Sequence, residues 1–86
     1  MNDFKLIISS PDGNLWDGNV VFLSLRGALG DLAIMAGHIP FVTPILPCEV
    51  KIELQDGSEK SGSINDGLLT VTDGGATILS GTFTWK

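Results

Sequence analysis

The chain has 86 residues, which fits one domain on a single core, and a chain of this size buries only about 60% of the surface that its unfolded form exposes. Ten carboxylates against five basic residues give a formal charge of −5; that balance repels a phosphate backbone and excludes nucleic acid as an expected partner, while serving either solubility or docking on basic loops. A single cysteine, Cys48, and a single histidine, His38, rule out a disulfide framework and fall short of a zinc ligand set.

In chain order, Phe4 to Ser9 reads as the first strand. Lys5 interrupts its apolar run and no basic leader precedes it, so no secretion signal is expected. Pro11-Asp12-Gly13 and Asp17-Gly18 read as turns. Val20 to Leu25 follows as a strand apolar on both faces, as expected between two layers. The stretch from Gly27 to Pro47 breaks the regular pattern and holds three of the four prolines, which marks it as an irregular segment and a candidate binding surface. Its longest apolar run, Leu32 to Ala36, is far below the roughly 20 residues that cross a bilayer, so direct membrane insertion is not expected.

Val50, Ile52 and Leu54 alternate with Lys51, Glu53 and Gln55, the pattern of a half-buried strand. Asp56-Gly57 turns it back into Ser58 to Asn65, Asp66-Gly67 leads into Leu68 to Thr72, and Asp73-Gly74-Gly75 into Ala76 to Gly81. Thr82 to Trp85 extends the last strand. The Asp-Gly pairs suit type I′ hairpins, in which both central residues need positive φ. Many short strands, frequent glycine turns and no ten-residue helical period predict one all-β domain over residues 1–86, a sandwich or barrel of about ten short strands.

The candidate chemistry is sparse. His38 has no serine or cysteine partner in a recognisable motif, which leaves a structural hydrogen bond or a partner contact. Cys48 has no neighbouring base and reads as a packed thiol. The carboxylates scatter over turns and outward positions, so no acid/base pair is expected. Gly27-Ala28-Leu29-Gly30 lacks the lysine and helix of a phosphate cradle, so no nucleotide is expected there. Trp16 and Trp85 read as core or edge caps, with interface anchoring as the alternative. No catalytic, cofactor or metal site emerges.

The run Gly27-Ala28-Leu29-Gly30-Asp31-Leu32-Ala33-Ile34-Met35-Ala36-Gly37-His38-Ile39-Pro40 resembles the pattern of the epsilon subunits of F-type ATP synthases, in which Gly-x-x-Gly-acidic-Leu-Gly-Ile leads to Pro-Gly-His-x-Pro. Phe41 to Pro47 and Asn65-Asp66-Gly67-Leu68-Leu69-Thr70-Val71 are similar to the family's next turn and strand, and the likeness runs from Phe4 to about Thr82. The resemblance implies a flattened β-sandwich of two mixed sheets. It further implies a non-catalytic rotor subunit that docks gamma onto the c ring and couples proton translocation to ATP synthesis. Residue by residue, it places Ala28, Leu29, Gly30 and Asp31 towards the c ring, with Asp31 opposite a basic loop, and Ser10, His38 and Thr43 towards gamma. The implied location is the cytoplasmic face of a bacterial inner membrane, peripheral through the complex, with the stromal face of a thylakoid as the alternative. Ala33 and Ala36 stand where the family usually has glycine and proline, and Cys48 where glycine often follows proline. The helical hairpin with which most members continue is not expected here, and with it no braking of ATP hydrolysis. The alternative from another class is a free-standing sandwich module binding sugars or peptides through Trp16 or Trp85.

Overall fold

Period-two patterning decides the architecture, because each strand buries alternate side chains and leaves the others outside. The computed structural model describes residues 3–86. It contains ten strands: β1 Phe4–Ser10, β2 Gly13–Val20, β3 Phe22–Gly27, β4 Gly30–Ile34, β5 Phe41–Ile45, β6 Cys48–Glu53, β7 Glu59–Ile64, β8 Gly67–Thr72, β9 Gly75–Leu79 and β10 Thr84–Trp85. They form one hydrogen-bonded ladder in the order β10-β7-β6-β3-β5-β8-β9-β1-β2, with β4 on the other edge of β3. The ladder folds over where β3 and β5 meet at a single pair, Gly27 with Ile45. One layer is therefore β5-β8-β9-β1-β2, and the other is β10-β7-β6-β3-β4.

Between the layers lies a mainly apolar core. Leu6, Ile8, Val20, Leu23, Leu69 and Ile78 are each 0% exposed. At about 25 cal/mol per Å² of apolar surface removed from water, burial of this kind supplies the main stabilisation of so small a domain. The β1–β9 pair is parallel, with Leu6 opposite Ala76 and Ile8 opposite Ile78, and it ties the N-terminal strand into the middle of its layer.

The expected all-β sandwich is thus present, with corrections: its two layers belong to one ladder, and only the layer holding β1 and β9 is mixed, the other being antiparallel throughout. Two strands, β4 and β5, occupy about half of the segment read as irregular. Pro44 fits inside β5 because β5 meets β3 only at Ile45; over most of its length one edge has no ladder neighbour, and a missing N–H is tolerated there. Asp17-Gly18 is no turn: both residues lie within β2, opposite Ile7 and Leu6. The type I′ reading also fails, since among the described residues only glycines have positive φ. Thr82 to Trp85 does not extend β9; its last two residues form β10, which crosses to pair with β7.

That crossing has a purpose in packing. β2 and β10 are the two ends of the ladder, and Trp16 on one meets Trp85 on the other edge to face, with centroids 5.8 Å apart. Phe83 adds a second perpendicular contact with Trp85, at 4.9 Å, and the Lys60 ammonium lies over both indoles at 5.5 and 5.0 Å. Aromatic and cation–π contacts of this geometry contribute of order 1 kcal/mol each beyond area burial. The two tryptophans therefore join the edges of the folded sheet, and Lys86 secures the end of the chain through a 3.0 Å ion pair with Glu49.

Candidate functional site

The register places the connections at two ends of the sandwich. Gly27 pairs with Ile45 and Ile45 with Gly67; Leu68 pairs with Leu79 and Leu79 with Ser9. The β1–β2 turn, the β3–β4 hairpin tip, the β5–β6 link and the β7–β8 turn therefore cluster at one end. Segment 35–40 lies at the other.

At the first end, Ala28 and Leu29 form the two-residue tip between paired Gly27 and Gly30. Leu29 is 100% exposed. A large apolar side chain held wholly in water on a braced tip has no role within the fold. The bracing is specific: Thr43 Oγ1 accepts the Ala28 N–H at 3.2 Å and donates to the Pro44 carbonyl at 3.1 Å. The Leu46 N–H donates to the Arg26 carbonyl at 2.9 Å, and the Arg26 N–H donates to Cys48 Sγ at 3.3 Å. Cys48 thus does more than pack: its sulfur accepts a hydrogen bond that glycine could not.

Asp31 faces Arg26 directly across the hairpin, and the pair closes at 2.9 Å between Nε and Oδ1. The carboxylate raises the Arg26 pKa, chiefly by hydrogen bonding and then by charge. Both groups are largely exposed, so the pair contributes little to stability. Its consequence is local: Asp31 already has a cationic partner and presents a neutralised pair at the tip.

Ser10 lies at the same end, and its hydroxyl serves the β1–β2 turn, accepting the Asp12 N–H and donating to the Gly13 carbonyl. Thr43 is 8% exposed and sits beneath the tip with its hydroxyl engaged there. His38 is at the opposite end. Its ring packs on Phe41 at 5.1 Å, and Nδ1 lies 2.8 Å from the Ile39 carbonyl oxygen. The structure therefore gathers Ala28, Leu29, Gly30 and Asp31, with Thr43 below and Ser10 alongside, and leaves His38 apart from Ser10 and Thr43. Among the described residues no three His, Cys, Asp or Glu side chains converge to hold a metal ion.

Around His38 the chain makes a tight turn. The His38 N–H donates to the Met35 carbonyl at 3.2 Å and Gly37 has φ +84°, the geometry of a type II turn with Ala36 at its second position. Proline prefers that position, and an alanine there accommodates the same turn. Ala36→Pro should raise unfolding stability by about 0.4–1 kcal/mol, by restricting the unfolded chain. Urea unfolding checks this, and a lowered midpoint would show the turn to be of another type.

A family model described as ATP synthase, Delta/Epsilon chain, beta-sandwich domain, matches residues 3–86. A chain in the cryo-EM structure of Euglena gracilis mitochondrial ATP synthase, OSCP/F1/c-ring in rotational state 1, superposes with a TM-score of 0.89 at 21% identity, over 96% of this chain and 53% of that one. A chain in the Tetrahymena thermophila mitochondrial ATP synthase central stalk/c-ring structure gives a TM-score of 0.76 at 15% identity, over 94% and 65%. At such identities the two structures establish a common fold. This chain spans between about half and just under two thirds of their lengths.

Proposed function

The chain belongs to the ATP synthase delta/epsilon family through its β-sandwich domain, and from that premise we propose that it is a non-catalytic coupling part of the rotor, docking the gamma subunit onto the c ring. In this role the domain transmits torque by shape and stiffness. Two layers joined through one ladder and latched at Trp16 and Trp85 supply a body that resists shear, because close-packed interiors deform little.

The observation that carries the reading is the braced β3–β4 tip with Leu29 wholly exposed. It fits an apolar knob entering a groove on the c-ring loops. Asp31, being paired with Arg26, sets orientation at the rim of that contact and supplies little affinity. Ser10 lies towards gamma at the same end. His38 contacts gamma from the far end, and Thr43 acts indirectly by holding the tip. Among the described residues no helix is long and apolar enough to cross a membrane. The domain is peripheral, and we place it on the cytoplasmic face of a bacterial inner membrane.

The sugar- or peptide-binding alternative relied on a free tryptophan. Trp16 and Trp85 instead pack on each other beneath Lys60, which removes its platform. The rotor reading is tested in vesicles carrying a synthase stripped of its delta/epsilon subunit. Added back, this chain should restore ATP-driven proton pumping. Binding that leaves ATP hydrolysis uncoupled from pumping would overturn the coupling role.

A further inference from the structure

The hairpin that carries Leu29 is rooted at a break in the sheet. On one edge β3 pairs with β6 from Phe22 to Ser24 and meets β5 only at Gly27, so Leu25 and Arg26 have no ladder neighbour there. Successive residues of a strand turn their N–H and carbonyl groups to opposite edges. Leu25 lies opposite Leu32 of β4, and Arg26 turns both of its main-chain groups into the break. One short link holds them. The Leu46 N–H donates to the Arg26 carbonyl at 2.9 Å, and the Arg26 N–H donates to Cys48 Sγ at 3.3 Å. Pro47 stands between the two holding residues and fixes φ there. The main chain of Cys48 is committed to β7, opposite Ile64, so only its side chain is free to reach back to β3.

Resting on the c-ring contact of the rotor reading above, we propose that Cys48 is a positioning residue for that contact: its sulfur holds the root of the hairpin so that Leu29 is presented in place before the ring is met. The tip is then gripped from both layers. Thr43 of β5 takes the Ala28 N–H, and Cys48 of β6 takes the Arg26 N–H. Glycine or alanine at position 48 would offer no acceptor, and the N–H would be left to water at the break. A tip freed in this way has to be ordered when it docks, and that cost subtracts from affinity without changing any contact in the bound state. One hydrogen bond of ordinary net strength corresponds to about 2- to 12-fold in an equilibrium constant, which bounds the effect. Cys48 thus acts on the ring through Arg26 and Leu29, with no contact of its own.

The test separates positioning from stability. Cys48→Ala should bind the c ring of the same synthase, purified in nanodiscs, about 2- to 12-fold more weakly than the parent. Cys48→Ser keeps an acceptor and should recover part of that loss. Ile52→Val trims the core under β6, where Ile52 is 1% exposed and pairs with Leu23 well away from the tip. It should lower the urea midpoint yet bind as the parent does. Amide exchange followed by NMR supplies a direct signature: in Cys48→Ala it should accelerate at Arg26 far more than at Leu23. Parent-like affinity of Cys48→Ala would overturn the positioning role and leave the docking reading standing. Equal weakening by Ile52→Val would trace the effect to lost stability and overturn it too. Cys48→Ser binding as weakly as Cys48→Ala would remove the hydrogen bond as its cause. A parent chain that does not bind the ring at all would instead overturn the docking reading itself.

Discussion

Gly75→Ala should remove a large part of the domain's stability, about 2–6 kcal/mol. A Cβ built there would lie 2.3 Å from the Lys5 carbonyl oxygen, and the backbone has φ +139°. The first of these is a collision with main chain, which no side-chain rotation relieves, and costs typically 1–3 kcal/mol in displaced packing. The second is a conformation reserved for glycine and adds about 1–3 kcal/mol. Because Gly75 opens β9 opposite Lys5, the displacement falls on the parallel β1–β9 pair, through which the first strand enters its layer. A domain of this size holds only about 4–13 kcal/mol in total, so the variant should be largely unfolded well below the parent's urea midpoint. Gly74→Ala is the internal control. A Cβ there meets nothing nearer than Thr72 Oγ1 at 3.8 Å, so stability should stay within about 0.5 kcal/mol of the parent. A Gly75→Ala loss no larger than the Gly74→Ala one would mean that β9 shifts freely against β1.

The same glycines show what a sequence carries and what it hides. β6 was legible because Val50 and Ile52 are buried at 2% and 1% between exposed partners, a contrast that alternation reports directly. The strands around the Asp56-Gly57 and Asp73-Gly74-Gly75 turns followed for the same reason. β2 was not legible. Its residues are mostly exposed, from Gly13 to Asp17 except for the half-buried Trp16, so an edge strand held by main-chain pairing shows no apolar rhythm. Gly18 then reads as a turn, although its role is contact: a Cβ there would meet the Trp16 ring at 3.3 Å.

Two further features depended on partners distant in the chain. β10 pairs with β7 because Trp85 meets Trp16 across the closing edge, a relation between residues that no local window contains. At the candidate site, the motif around Gly27–Pro40 marked the residues without their form: the segment read as irregular, and only the ladder makes Ala28 and Leu29 the tip of a hairpin whose return strand opens with Gly30 and Asp31. The pairing of Asp31 with Arg26 was available only from the hairpin register, which sets them opposite each other. The hold on Arg26 was hidden more deeply. Cys48 reads as a packed thiol, and only the register shows β6 leaving β3 after Ser24, so that a side chain takes the Arg26 N–H.

Leu29→Asp should leave folding intact and weaken attachment to the c ring by about 10- to 150-fold. The side chain is wholly exposed in the free domain, so nothing in the fold depends on it, and substitutions of that kind stay within about 0.5 kcal/mol. If the tip enters a groove on the ring, burial of a leucine is worth about 1.5–3 kcal/mol, which sets the expected range. An introduced carboxylate forfeits that gain, and Leu29→Met should recover most of it. Asp31→Asn separates apolar from electrostatic recognition. Its parent carboxylate is already engaged by Arg26, so neutralising it should change affinity by less than about fivefold. Binding is read with purified c ring in nanodiscs, and coupling as proton pumping at limiting concentrations of the added chain, where loss of affinity appears as loss of pumping. A Leu29→Asp chain that binds and pumps like the parent, while Asp31→Asn fails, would make the contact electrostatic and remove the leucine knob from the mechanism.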